Sequence, residues 1–371
     1  MNFDFSDDLK LLRDQARKFL KERCPPKAVR RVLEGEAPYD KALWQGMGEM
    51  GWLGAAIPEE YDGAGLGYEG LCVLAEEVGN VVAPVPFASS VYLATEAILA
   101  AGSEAQKRAY LPKLAMGNLI GTFALAEGNG NPSPEGVSAA ASRGKLSGTK
   151  LPVADGTIAD FAVVAAKDEA GKLSLYLVDL KAAGVTRSAL KTVDPSRDQA
   201  KIVFDGVPAE LLGPAGKGWD LVRRLLDRAA ILLAFEQVGG AQAALDMAKA
   251  YAMERFAFGR PIGSFQAIKH KLADVYVATE LARSNAYYGA WALATDAAEL
   301  PLAAAAARVS ATEAYHLASK ENIQTHGGMG FTWEFDCHLY YRRSKLLALA
   351  IGSAPWWKDR LVSELERRNA A

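Results

Sequence analysis

The chain has 371 residues, half of them apolar, and 42 Lys and Arg against 44 Asp and Glu leave a net charge of −2. That length holds two or three domains, and the balanced charge gives no electropositive footprint for nucleic acid. Cys24, Cys72 and Cys337 form no CxxC pair, and with four scattered histidines they make no metal-site spacing. Free thiols in a reducing cytosol, and a cytoplasmic location, are expected. The acidic N-terminus lacks the basic and apolar regions of a signal peptide, and no apolar run reaches bilayer-spanning length. Neither a membrane nor nucleic acid is expected as a partner.

Residues 1–118 read as helical. Ser6 and Asp7 cap a first helix with Leu9, Leu12, Ala16 and Phe19 on its apolar face, and Pro25 and Pro26 end it. Leu43, Trp44, Met47 and Met50 mark a second. Gly65, Gly67 and Gly70 spell GxGxxG, but no strand precedes them and no βαβ unit surrounds them, so the stretch reads as a loop. Helices follow over Leu71–Val78 and about Val91–Ala101, and Ser103 caps another. Residues 119–213 change character. IGTFALAE, ADFAVVAA, KLSLYLVDL and QAKIVFDGV are short β-rich runs separated by Gly, Pro, Asp and Asn, as in a small sandwich or barrel. GNGNPSPEG, Gly128–Gly136, is a loop. From 214 to 371 the helical period returns, over Trp219–Arg255, Phe265–Thr295, Leu302–Thr325, Glu334–Ala350 and Trp356–Arg368. Long helices with short links predict a four-helix bundle. The expected fold is α+β and multidomain.

Gln324-Thr325-His326-Gly327-Gly328-Met329-Gly330-Phe331 interrupts this helical region. Two readings stand on local grounds: a glycine cap between helices, or a backbone left open for a ligand. QTHGGMGF with its basic helix resembles the C-terminal signature of the acyl-CoA dehydrogenase family. RFAFGRPIGSFQAIKHKLAD (Arg255–Asp274) and PEEYDGAGLGYEGLCVLAEEVG (Pro58–Gly79) are similar to two more family stretches, in the family's order.

The resemblance implies an FAD enzyme that oxidises the Cα–Cβ bond of an acyl-CoA thioester. A carboxylate takes the α proton, the β hydride passes to the flavin, and an electron-transfer flavoprotein accepts the electrons. It implies that Arg255 pairs with the FAD pyrophosphate across a subunit interface, that Phe258 and Gln266 belong to the same motif, and that Gln324, Gly327 and Gly328 meet the other end of the ADP moiety. It also exposes departures. GNGNPSPEG replaces the family's Gly-Ser-Asp loop, and Pro152 and Ala154 stand where Trp and Thr are expected beneath the flavin ring. The two positions of the family's catalytic glutamate fall on Ile351 and Ala229, and neither side chain takes a proton.

Three substitutes suggest themselves. Asp227 matches a region that contacts CoA, or is a surface carboxylate. Arg228 is a ligand clamp or an ion-pair partner. Glu236, two helical turns beyond Ala229 and about 10 Å along the axis, is a base of raised pKa or the structural partner of an arginine on a neighbouring helix. Some bacterial members of the family are α2β2 heterotetramers acting on steroid side chains, dicarboxylic or other bulky acyl-CoAs, in which one subunit type has lost the glutamate and completes its partner's FAD site. The chain looks like that second type. The alternatives are a self-sufficient homotetramer with an unusual base, and a non-catalytic flavin-binding relative; one such kind associates with DNA, against which the near-neutral charge argues.

Overall fold

A computed structural model describes residues 5–370. Before the sheet lie helices α1 (Asp7–Arg23), α2 (Pro26–Leu33), α3 (Lys41–Glu49), α4 (Gly67–Asn80), a π-helical segment (Ala88–Thr95), α5 (Glu96–Ala101) and α6 (Glu104–Ala115). Strands follow: β1 (Gly121–Ala124), β2 (Ala140–Ser142), β3 (Lys145–Ala154), β4 (Phe161–Lys167), β5 (Leu173–Asp179), β6 (Val185–Ala189), β7 (Gln199–Pro208) and β8 (Glu210–Leu212). Then come α7 (Gly218–Glu254), a hairpin of β9 (Phe256–Ala257) and β10 (Arg260–Pro261), α8 (Gln266–Ala294), α9 (Leu300–His326), α10 (Cys337–Leu349) and α11 (Ala354–Ala370). The long C-terminal helices begin and end within a few residues of the expected bounds.

Three local differences have physical reasons. Pro25 and Pro26 do end α1, but Pro26 also opens α2, where a missing N–H costs nothing at the first helical position. The GxGxxG loop closes early: Gly67 begins α4, so Gly70 is helical. The helix expected over Val91–Ala101 is π-helical as far as Thr95, a distinction hydrophobic spacing does not carry.

Packing divides the chain into two units. One contains the residues up to Val29, Tyr68–Ala83 and everything from Ala230 onward. Here α4 crosses α7 backbone to backbone. A Cβ on Gly79 would lie 1.9 Å from the Glu236 carbonyl oxygen, and one on Gly239 would lie 1.9 Å from that of Glu76. Only glycine allows this approach. Gly79→Ala is therefore expected to lower stability by about 1–3 kcal/mol or more, read as a fall in the urea midpoint. Phe235 of α7 stacks on Tyr287 of α8 at 5.8 Å, and Arg17 of α1 holds the buried Glu77 of α4 at 2.7 Å.

The other unit contains Arg30–Gly67 and Pro84–Ala229. The expected sandwich or barrel is one continuous mixed sheet, ordered β6-β7-β3-β2-β4-β5-β8, with β1 paired parallel to β4. β4 and β5 are apolar and buried along most of their length, while β7 alternates. Helices pack on the sheet through contacts such as Tyr110 against Phe161 at 4.8 Å, and Ser89 donates to the buried Asp155 at 2.6 Å. Among the described residues no helix is long and apolar enough to cross a membrane, and no His, Cys, Asp and Glu cluster could hold a metal.

Candidate active site

The six residues expected at the cofactor lie in the first unit, around the end of α7, the start of α8 and the end of α9. Arg255 follows α7; its N–H donates to the Tyr251 carbonyl and its own carbonyl accepts from Ile262, both at 2.8 Å. The hairpin turn places Phe258 at φ +54° and Gly259 at φ +78°, so both central positions are left-handed. Phe258 is 94% exposed. α8 starts at the exposed Gln266 with no side-chain cap, so its first N–H groups favour an anion. α9 runs out at His326, and Gly327 turns the chain at φ +62°, ψ −139°, a conformation reserved for glycine.

Two contacts tie these pieces together. The Tyr251 ring stacks on His326 at 4.1 Å, and Lys271 of α8 reaches Glu321 of α9 at 3.1 Å. His326 Nδ1 bonds the Asn322 carbonyl at 2.9 Å, and burial holds its pKa below the usual histidine value. Arg255, Gln266 and Gln324 are exposed, and a Cβ on either Gly327 or Gly328 would meet nothing within 4 Å. A cationic fork, two amides, an uncapped helix start and an open glycine backbone fit an anionic dinucleotide.

The base positions are apolar. Ala229 is wholly buried and Ile351 is 5% exposed. Ile351 follows α10, and its carbonyl accepts from the Trp357 indole N–H at 3.2 Å. Glu236, also wholly buried, faces Arg343 of α10 at 3.5 Å. Arg308 of α9, 1% exposed, donates to Gln237 at 2.7 Å and to the Leu347 carbonyl. Burial lowers the Arg308 pKa to about 10, against the pull of nearby Glu236.

In the other unit Asp227 is 4% exposed, so it is not a surface carboxylate: α7 turns that position inward. Arg228 pairs with Glu96 of α5 at 2.5 Å, both buried. In the sheet, Glu127 binds Lys150 at 2.7 Å and the Ala139 N–H at 2.9 Å, and bonds Ser138, clamping the ends of the Gly128–Gly136 loop. Pro152 is exposed and Ala154 half-buried. Neither side chain can donate a hydrogen bond.

The model of the acyl-CoA dehydrogenase N-terminal domain matches residues 6–118, and that of the C-terminal domain matches residues 216–355. Acyl-CoA dehydrogenase IpdE2 of Mycobacterium tuberculosis is 32% identical over 97% of this chain and 98% of its own length. The chain belongs to the acyl-CoA dehydrogenase family. A chain of the Tcur3481–Tcur3483 steroid ACAD is 33% identical with a TM-score of 0.89, over 98% of this chain and 99% of that one. A chain of the ChsE4–ChsE5 complex from Mycobacterium tuberculosis is 28% identical with a TM-score of 0.90, over 99% of each.

Within this member of the acyl-CoA dehydrogenase family, several buried charges near the candidate positions went unremarked in the sequence. Arg308 is the lone charge in AAAAARVSA, and Arg343 lies in a basic run whose buried member spacing does not single out. The charge inside an apolar helix that drew attention to Glu236 would also have found Arg308. Glu96, the lone charge in FASSVYLATEAILAA, gives the same signal, though nothing in the sequence names Arg228 as its partner.

Proposed function

We propose that this chain is the glutamate-lacking subunit of an FAD-dependent acyl-CoA dehydrogenase, assembled as α2β2 with a second family subunit that carries the base. The observation behind this reading is the pair of buried, apolar side chains, Ile351 and Ala229, at both positions where the family keeps its glutamate. Glu236 stands apart from this chemistry. Arg343 faces it directly, so it serves as the structural partner of the bundle's arginines. The three-part division at 1–118, 119–213 and 214–371 is kept as the family's modules. The substrate is a bulky acyl-CoA, the assembly acts in the cytoplasm, and an electron-transfer flavoprotein takes the electrons onward.

FAD, when bound, accepts the β hydride of the thioester. This chain holds its ADP end: Arg255 on the pyrophosphate, Phe258 and Gln266 beside it, and Gln324 with the open backbone of Gly327 and Gly328 at the other end. Pro152 and Ala154 offer the ring no side-chain donor, and in this reading the ring's contacts come from the second subunit. Asp227, in the region that meets CoA, and Arg228 are the substrate-binding candidates of this chain.

Arg255→Ala is expected to weaken FAD binding by the assembly about tenfold or more, the worth of a charge-assisted phosphate contact, measured by equilibrium dialysis. The reading itself is tested by two substitutions in the co-produced assembly. Ile351→Ala should leave acyl-CoA oxidation within about twofold, since no proton moves there, while replacing the second subunit's glutamate should abolish it. Oxidation that survives the second change, or collapses with the first, would refute the shared site.

A further inference from the structure

Two arginines of the hairpin after α7 have no acid to answer to. Arg255 and Arg260 are exposed, and among the described residues neither side chain makes an ion pair or a hydrogen bond; Glu254, next to Arg255, pairs with neither. Elsewhere arginines of this chain meet carboxylates, Arg17 at Glu77 and Arg108 at Glu104, both at 2.7 Å.

The ladder sets both on one face. Arg260 lies opposite Ala257 and Pro261 opposite Phe256, and the Ile262 N–H donates to the Arg255 carbonyl at 2.8 Å, which carries the pairing one step further. Side chains alternate along a strand, and directly opposed residues share a face. Arg255, Ala257, Arg260 and Ile262 therefore stand on one side of the ribbon, Phe256 and Pro261 on the other. Arg255 and Arg260 are diagonal neighbours, about 7–8 Å apart at the backbone. Arg260 is also held in place. Its guanidinium carbon lies 4.1 Å from the centroid of the Phe265 ring, and Phe258 packs on that ring at 6.2 Å, nearly perpendicular to it. Stacking fixes the plane of the guanidinium and leaves the N–H groups at its edge for an anion. Like charges side by side with no acid between them work against folding. An anion that reaches both reverses the sign of that effect.

We propose that Arg260 is the second arm of a clamp, with Arg255 the first, that holds the diphosphate of FAD. The inference rests on the proposed function, which brings FAD to this turn. Spacing and charge select the ligand class. Each phosphate of a diphosphate ester carries one negative charge, one for each guanidinium, and arginine meets phosphate through paired N–H donors. Long side chains rooted about 7–8 Å apart converge on two adjacent phosphates, whereas a single phosphate engages one arm. CoA also carries a diphosphate ester, so the test separates the two sources.

Calorimetry on the assembly the chain forms compares FAD, ADP and AMP after flavin removal, and octanoyl-CoA with flavin in place. Arg260→Ala should weaken FAD and ADP about tenfold, AMP less than about threefold and octanoyl-CoA not at all. Arg260→Lys, which keeps the charge without the fork, should recover only part of the loss. The thermal midpoint of the flavin-free assembly should not fall, because the side chain is exposed and carries no ion pair. Unchanged FAD affinity in Arg260→Ala, an equal loss for ADP and AMP, or a loss for octanoyl-CoA in place of FAD would each overturn the clamp. Arg255→Ala keeps the two levels apart. If it weakens FAD while Arg260→Ala does not, the clamp fails and the shared site stands; FAD binding indifferent to both removes the cofactor site from this chain, and the clamp with it.

Discussion

Produced alone, the chain is expected to oxidise acyl-CoA thioesters at least about 100-fold more slowly than its assembly with a second dehydrogenase subunit. The α proton of a thioester leaves only to a positioned base. Ile351 and Ala229 offer none, and Glu236, the wholly buried carboxylate of α7, is held against Arg343 at 3.5 Å. A wholly buried carboxylate that faces an arginine does not reach a ligand. Glu236→Gln in the assembly should consequently leave the rate per bound flavin within about twofold. A fall of 100-fold or more on that change, with the flavin still bound, would make Glu236 the base and this chain self-sufficient.

The same network makes the second large effect one of stability. Arg343→Met is expected to cost about 3–5 kcal/mol, because it leaves the wholly buried Glu236 without its facing guanidinium. Replacing both members, Glu236→Leu with Arg343→Met, should recover much of that loss, since an apolar pair pays no desolvation. The urea midpoint of the chain measures both. A loss below about 1 kcal/mol for Arg343→Met would mean that the pair is not what joins α7 to α10.

The fold was legible where periodicity is strong. The helices α7 to α11 and the β-rich middle follow from spacing and from turn residues, and their bounds moved by only a few residues. Pro26 as a helix start and the π turn before Thr95 were not legible. A proline stop and a proline start share one letter, and a π turn shifts hydrogen bonds without changing the apolar pattern. At the site, Arg255, Gln266 and the Gln324–Gly328 stretch were singled out by resemblance to the family's motifs; local pattern alone reads them equally as exposed helix–loop residues and a glycine cap. The pairings of Glu236 with Arg343 and of Arg228 with Glu96 depend on which faces of distant helices meet, and composition carries no record of that. Asp227 shows the same limit: a carboxylate near a helix start reads as solvated until the fold turns it inward.

The measurement that bears most directly on the shared site is flavin content against native mass, for the chain alone and for the chain co-produced with a second dehydrogenase subunit. The account predicts little flavin on the lone chain and, together, a tetramer with about one FAD for every two chains, as two equivalent shared sites require. Full flavin occupancy of the lone chain, with oxidation of an acyl-CoA, would contradict it.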